Sequence, residues 1–121
     1  MVSFRYLVND VDVAVGFYTR TLGFELKTQF GPAMAIVQKG ELQLWLAGPP
    51  SSAAQPMPDG SKPVPGGWSR IVLQVSGLAA LVETLKASGV RLRNEIVKGP
   101  GGSQILCEDP SGNAIELFEP A

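Results

Sequence analysis

The sequence contains no histidine. That absence excludes every mechanism that needs an imidazole from this chain, including histidine metal sites, nucleophiles activated by histidine and histidine proton shuttles. Cys107 is the single cysteine, so no disulfide forms within the chain, which suits a reducing compartment. We expect this thiol to be an inert core residue. Chemistry must then come from carboxylates, arginine, lysine, tyrosine, serine, the cysteine or a bound cofactor.

Charge and long apolar runs are also scarce. Ten Lys and Arg residues against eleven Asp and Glu give a net charge of −1, and no basic cluster predicts nucleic acid or an anionic membrane as partner. No apolar run approaches the ~18 residues of a membrane helix, and the N-terminus lacks the pattern of a signal peptide. We therefore predict a cytoplasmic protein, with 45% hydrophobic residues to form one core.

Two segments of the chain repeat the same order of elements. Alternating and helical apolar spacing predicts a strand, a helix and three strands in the first segment: 3–8, 13–22, 24–29, 34–38 and 41–46. The second segment predicts the same order: 70–75, 78–88, 90–96, 103–108 and 113–118. Gly23 and Gly89 are placed to end the two helices, and Lys39-Gly40 is expected to form a hairpin turn.

The two segments are joined by residues 48–67, which are rich in proline, serine and glycine. We predict a first module over 1–47, this connector, and a second module over 68–121. The connector has two open interpretations. It is either a plain linker or a lid that folds back over a binding site through Met57, Val64 and Trp68.

Four short motifs occur in a characteristic order: Phe17-Tyr18, Leu22-Gly23-Phe24, Asp109-Pro110-Ser111-Gly112-Asn113 and Ile115-Glu116-Leu117. Together they resemble the signature of the vicinal oxygen chelate superfamily, which includes glyoxalase I, bleomycin resistance proteins, fosfomycin resistance enzymes and extradiol dioxygenases. The resemblance implies an α+β fold of two tandem βαβββ modules that form a cupped mixed sheet, the glyoxalase/bleomycin resistance fold. It also implies a homodimer.

The enzymes of this superfamily hold a divalent metal with four side chains. The resemblance places the equivalent positions at Ser3, Gln43, Arg70 and Glu116. Arginine is always protonated and has no lone pair to offer, so it cannot ligate a cation. A one-residue shift in the second module offers only Ser69. We therefore predict neither a metal nor a cofactor, and we expect Arg70 to take the place of the cation and to pair with Glu116.

Strand alternation then separates an apolar face from a mixed face on each sheet. A mixed face with a few polar groups among aromatic walls is typical of a ligand site. The predicted ligand-binding residues are Arg5, Gln43, Trp45, Trp68, Arg70, Val72, Gln74, Glu116 and Phe118. Other interpretations stay open: Trp45 in the core or a dimer interface, Arg70 and Glu116 as a structural ion pair, and Arg5 as a solvated residue.

The sequence therefore favours a small-molecule-binding protein that sequesters an antibiotic or another aromatic, drug-like ligand without a metal, as bleomycin resistance proteins do. The alternative is an enzyme of the same superfamily. It would be a metal-dependent lyase, isomerase or dioxygenase, or a metal-free enzyme. In the metal-free case Glu116 would be the acid or base, and Arg70 would stabilise an oxyanion.

Overall fold

The computed structural model describes residues 2–121, which form two compact units. The first unit comprises the chain up to Gly66 together with the turn Pro110–Asn113, and the second comprises Gly67–Asp109 and Ala114–Ala121. Each unit contains a four-stranded mixed sheet and a helical segment. The predicted α+β class and the two βαβββ modules are therefore confirmed. No helix within residues 2–121 has the length and hydropathy needed to span a membrane.

The first unit contains one short helix and four strands: β1 (Val2–Leu7), α1 (Val11–Gly16), β2 (Glu25–Phe30), β3 (Met34–Lys39) and β4 (Leu42–Ala47). The strand order is β1-β4-β3-β2, with β1 parallel to β4 and the other neighbours antiparallel. Lys39 is paired with Leu42, so the hairpin turn is Gly40-Glu41 and not Lys39-Gly40 as predicted. Gly40 has a φ of +58°, the left-handed conformation that such a two-residue turn requires.

Helix α1 begins two residues earlier than the spacing predicts. The Asp10 carboxylate accepts a hydrogen bond from the Val13 N–H at 3.0 Å and caps the first turn. The helix continues as a π-helical turn over Phe17–Thr21. The chain then leaves the helix at Gly23, with a φ of +75°, while a 2.9 Å hydrogen bond joins the amide of Phe24 to the carbonyl of Tyr18.

The second unit repeats the order: β5 (Ile71–Gln74), α2 (Leu78–Ala87), β6 (Val97–Gly99), β7 (Gly102–Glu108) and β8 (Ala114–Pro120). Its strand order is β5-β8-β7-β6, and β5 is parallel to β8. The Glu119 carboxylate accepts hydrogen bonds from the N–H groups of Gly77 at 2.6 Å and Leu78 at 3.1 Å. A carboxylate here stabilises α2 because it satisfies free N–H groups at the positive end of the helix dipole.

The strand predicted over residues 90–96 is wrong. This segment makes a single bridge, between Leu92 and Cys107, and the second strand of the module is the later β6. The Asn94 side-chain oxygen accepts the Leu106 N–H at 2.9 Å. The side chain thus takes a donor that a backbone carbonyl would bond in a regular ladder, which stops the pairing at this point.

The connector between the modules is partly packed. Ser51 and Ala54 are buried around a short 3-10 turn, Ser52–Ala54. Met57 is 45% exposed and Val64 is 71% exposed. These two side chains therefore do not pack as the lid interpretation requires.

The predicted turn at Asp109–Asn113 is present, and its side chains bond to the rest of the first unit. The Asn113 amide donates to the Leu7 carbonyl at 2.7 Å and accepts from the Gly66 N–H at 2.8 Å. The Ser111 hydroxyl accepts from the Asn9 N–H at 2.9 Å. This turn therefore belongs structurally to the first unit, although it lies between two strands of the second.

The apolar core lies on one face of each sheet, as the alternation predicts. Burying a large apolar side chain stabilises the fold by about 1.5–3 kcal/mol. Tyr18 and Cys107 are fully buried at 0% exposure, and the expected core position of Cys107 is confirmed. The buried strand residues are Tyr6, Leu44, Leu46, Ile71, Leu73, Ile105, Ile115 and Leu117. The opposite faces hold the predicted site residues that lie on strands, whereas Trp68 and Arg70 precede β5.

Candidate functional site

The mixed face of the first sheet brings together four predicted positions. Parallel pairing of β1 with β4 sets Ser3 opposite Gln43 and Arg5 opposite Trp45. Side chains two residues apart on a strand share a face, so all four lie on the same side of the sheet. Trp45 is half-buried and Arg5 is exposed.

The polar groups around Trp45 form a small network. The indole N–H of Trp45 donates to Oε1 of Gln43 at 3.4 Å, and the Ser3 hydroxyl donates to the same oxygen at 3.5 Å. An indole N–H can only donate, so the Gln43 amide must turn its oxygen toward Trp45 and its NH₂ group away. The Arg5 guanidinium lies over the Trp45 ring, 5.0 Å from its centroid.

Three apolar residues on this face were missed by the sequence analysis. Ile36 lies opposite Trp45 in the ladder, Met34 lies opposite Ala47, and Phe30 lies opposite Met34. Phe30 is 62% exposed, while Met34 and Ile36 are half-buried. The same alternation rule, applied to β2 and β3, would have found them.

The mixed face of the second sheet is organised around an ion pair. Glu116 Oε1 accepts hydrogen bonds from Arg70 Nη2 at 2.9 Å and Nε at 3.1 Å, which confirms the expected pair. The Arg70 side chain is 30% exposed and the Glu116 side chain 12%. A cation at this carboxylate would have to displace the guanidinium. No group of three or more His, Cys, Asp and Glu residues within 2–121 could hold a metal ion. These residues do not fit the metal that the enzymes of the superfamily carry.

A second ion pair on this sheet was also missed. Arg93 Nε donates to Glu108 Oε2 at 2.7 Å, and both side chains are mostly buried, at 15% and 14% exposure. The sequence does show a glutamate, Glu108, at the end of an apolar strand and an arginine, Arg93, in the segment before it, and these two residues could have suggested the pair.

The two arginines together fix Trp68. The Arg93 guanidinium lies 4.7 Å from the centroid of the Trp68 ring and donates to the Gly67 carbonyl at 2.8 Å. Arg70 Nη1 donates to the Trp68 carbonyl at 3.3 Å. Trp68 is nevertheless 69% exposed. Its ring is therefore held in place and remains open to solvent.

The remaining predicted residues share the face of Glu116. Val72 is paired with Glu116 and Gln74 with Phe118. Val72 is 54% exposed, Gln74 is exposed and Phe118 is half-buried. Cys107 lies on the other face, where burial raises the pKa of its thiol to about 12.

A cleft of about 440 Å³ lies on the helical side of the second sheet. Val82, Leu92, Ile96 and Ile105 contribute its apolar walls. None of the predicted site residues lines it. It is therefore separate from the polar face that carries Arg70 and Glu116.

Comparison with known proteins decides the family. A model of the Glyoxalase/Bleomycin resistance protein/Dioxygenase superfamily matches residues 1–117. The chain belongs to this superfamily. No curated protein matches the chain.

Solved structures of the superfamily agree over nearly the whole chain. A member from Sphaerobacter thermophilus is 30% identical, with a TM-score of 0.77, over 97% of this chain and 94% of that one. TnmS3, an antibiotic binding protein from a Streptomyces species, is 27% identical, with a TM-score of 0.73, over 98% and 93%. The fosfomycin resistance protein FosX from Listeria monocytogenes, 16% identical with a TM-score of 0.75 over 100% and 93%, shares the fold.

Proposed function

We propose that this superfamily member binds a small, flat aromatic molecule of the antibiotic or drug-like type and sequesters it without a metal. The observation that carries the proposal is the pair of tryptophans: Trp45 on the mixed face of the first sheet, and Trp68 beside Arg70 and Arg93 in the second unit. A guanidinium lies over each ring, at 5.0 and 4.7 Å from the centroid. An indole that is held in position loses little entropy on binding, and each aromatic stack contributes about 1 kcal/mol beyond burial.

The second sheet supports a binding role over metal catalysis. Arg70 takes up the Glu116 carboxylate that metal-dependent relatives would offer to a cation. The 27% identity to an antibiotic binding protein points in the same direction. The alternative is an enzyme of the superfamily that uses Glu116 as acid or base.

Binding can be tested with the two tryptophans as reporters, because the chain has no others. The variants Trp45→Phe and Trp68→Phe each leave one indole in one unit. Anthracene-2-carboxamide absorbs where tryptophan emits, so it quenches an indole that it approaches. Titration of the wild type, followed by calorimetry with a panel of neutral aromatic compounds of two to four fused rings, measures affinity. We expect dissociation constants on the order of micromolar.

The matched control is Val13→Ala, which shortens an exposed apolar side chain on α1, at 52% exposure. We expect this variant to bind the panel as the wild type does, whereas Trp45→Leu and Trp68→Leu weaken binding. Absence of binding by the whole panel and by the anionic anthracene-2-carboxylate at millimolar concentration would reject the proposal. Chemical conversion of a bound compound that Glu116→Gln abolishes would establish the enzymatic alternative instead. Stoichiometric divalent metal in the purified protein would point to a metal-dependent enzyme.

The proposal includes a cytoplasmic homodimer. Three exposed apolar residues lie on strands at the edges of the sheets: Val2 on β1, Phe30 on β2 and Val97 on β6, at 78%, 62% and 50% exposure. Apolar side chains on exposed strand edges favour burial against a second chain. Light scattering coupled to size-exclusion chromatography measures the mass. A monomer at all concentrations would reject this part of the proposal.

A further inference from the structure

The two units differ in the charge around their tryptophans. In the second unit Arg93 is neutralised by Glu108 at 2.7 Å, and Arg70 by Glu116 at 2.9 Å. Among the residues of the first unit that the structure describes, Arg5 makes no ion pair and donates no side-chain hydrogen bond; its contact is with the Trp45 ring. The Arg5 guanidinium therefore carries a charge that no described residue of its own unit compensates.

The Glu25 carboxylate on the same sheet face is held elsewhere. Glu25 lies opposite Gln38 on β3, so it shares the mixed face with Gln43. It pairs with Lys27 at 3.6 Å. Strand β2 is three strands from β1, a separation of roughly 14 Å at the usual spacing between strands. Glu25 is therefore too far away to neutralise Arg5.

The Gln43 and Arg5 side chains beside Trp45 keep N–H groups for a ligand. The indole N–H and the Ser3 hydroxyl both donate to the Gln43 oxygen, and the Gln43 NH₂ group has no hydrogen-bond partner among residues 2–121. Arg5 meets the ring through contact with its π system, which leaves guanidinium N–H groups for a ligand. Two sets of N–H donors beside an aromatic surface suit a negatively charged acceptor attached to a ring.

We propose that Arg5, Gln43 and Trp45 form a subsite for an anionic group, a carboxylate or a similar oxyanion, carried by the aromatic ligand. This inference rests on the proposed function and narrows its ligand class to anionic aromatic molecules. Trp45 contacts the ring system, and Arg5 with the Gln43 amide binds the anion.

The test compares two probes that differ only in charge. Anthracene-2-carboxylate is ionised at neutral pH, and anthracene-2-carboxamide has the same ring and nearly the same shape without the charge. We expect the wild type to bind the carboxylate about fivefold more tightly, the range of a solvent-exposed charge pair with good geometry. That preference should shrink at high salt, which screens exposed charges.

Variants assign the preference to Arg5. In Arg5→Gln the two probes should bind alike, and Arg5→Lys should recover part of the difference, because lysine keeps the charge but lacks the planar fork. Arg20→Gln is the matched control, since it removes an exposed arginine from the helical segment of the same unit. Circular dichroism of each variant monitors the fold.

Equal affinity of the wild type for both probes would overturn the inference and leave the proposed function standing. An equal loss of affinity for both probes in Arg5→Gln would also overturn it, because that pattern reports only the ring contact. Failure of both probes and of the whole neutral panel would reject the proposed function, and this inference with it.

Discussion

The variant Arg70→Met isolates the energetic role of the ion pair on the second sheet. It replaces the guanidinium with an apolar side chain of comparable length and leaves the Glu116 carboxylate, 12% exposed, without its partner. Removing one member of a fully buried pair costs about 3–5 kcal/mol. Arg70 is itself 30% exposed, so water can enter and solvate part of the orphaned charge. We therefore expect the free energy of unfolding to fall by about 2 kcal/mol.

Urea unfolding followed by circular dichroism measures this loss. For a slope of about 1–3 kcal/mol per molar urea, the midpoint should fall by about 1 M. The double variant Arg70→Met/Glu116→Gln removes the orphaned charge and should regain about half of the loss. The difference between the double variant and the sum of the single variants gives the coupling energy of the pair.

Arg91→Met is the matched control for this experiment. The Arg91 side chain is 80% exposed and lies 3.6 Å from Glu108. An exposed pair of this kind contributes about 0–1 kcal/mol, so the control should stay close to the wild type. If Arg70→Met costs no more than Arg91→Met, or if the double variant is no more stable than Arg70→Met, the assignment of the pair as a desolvated interaction is wrong.

Three further outcomes follow from local geometry. Asp10→Ala removes the cap of α1 and should lower stability by about 1 kcal/mol, as measured by urea unfolding against Asp10→Asn. Cys107 should resist Ellman's reagent at pH 8 in the folded protein and react after denaturation, since burial raises its pKa from 9.0 to about 12. A thiol that reacts with the reagent in the folded protein would contradict this burial. Because the thiol of the unfolded chain loses its proton at a lower pH than the folded one, the free energy of unfolding should fall as pH rises above about 9. Gly102→Ala places a methyl group against the Glu119 carbonyl oxygen and should be strongly destabilising, whereas Gly101→Ala, which meets nothing within 4 Å, should not; equal melting temperatures would refute the clash.

Much of the fold follows from short-range patterns in the sequence. Alternating apolar residues specify which face of each strand is buried, and Tyr6, Leu44 and Leu117 lie on the predicted face. Gly23 and Gly89 end helical segments with positive φ angles of 75° and 78°. These features could be predicted because each depends on the local chain alone.

The sequence-based predictions were wrong or incomplete in two situations. In one, a side chain takes the hydrogen bond of a backbone group, and in the other the two partners lie far apart in sequence. Asn94 bonds to the Leu106 N–H and ends a pairing that the apolar pattern alone would continue. Arg93 meets Glu108 and Trp68 only after folding, so its hold on the indole was not visible from spacing. Arg70 and Glu116 are also far apart in sequence, but the family resemblance places both at positions of one site. Their pairing could therefore be predicted.

The tetrapeptide Pro110–Asn113 has a consequence for any attempt to recombine the halves of this gene. A fragment that stops at Gly66 lacks Ser111 and Asn113, the partners of Asn9 and Leu7. Chimeras between relatives would therefore need to inherit this short loop together with the N-terminal half rather than with the neighbouring C-terminal strands. Substitutions in this loop should accordingly lower the yield of folded protein more than they change the choice of ligand.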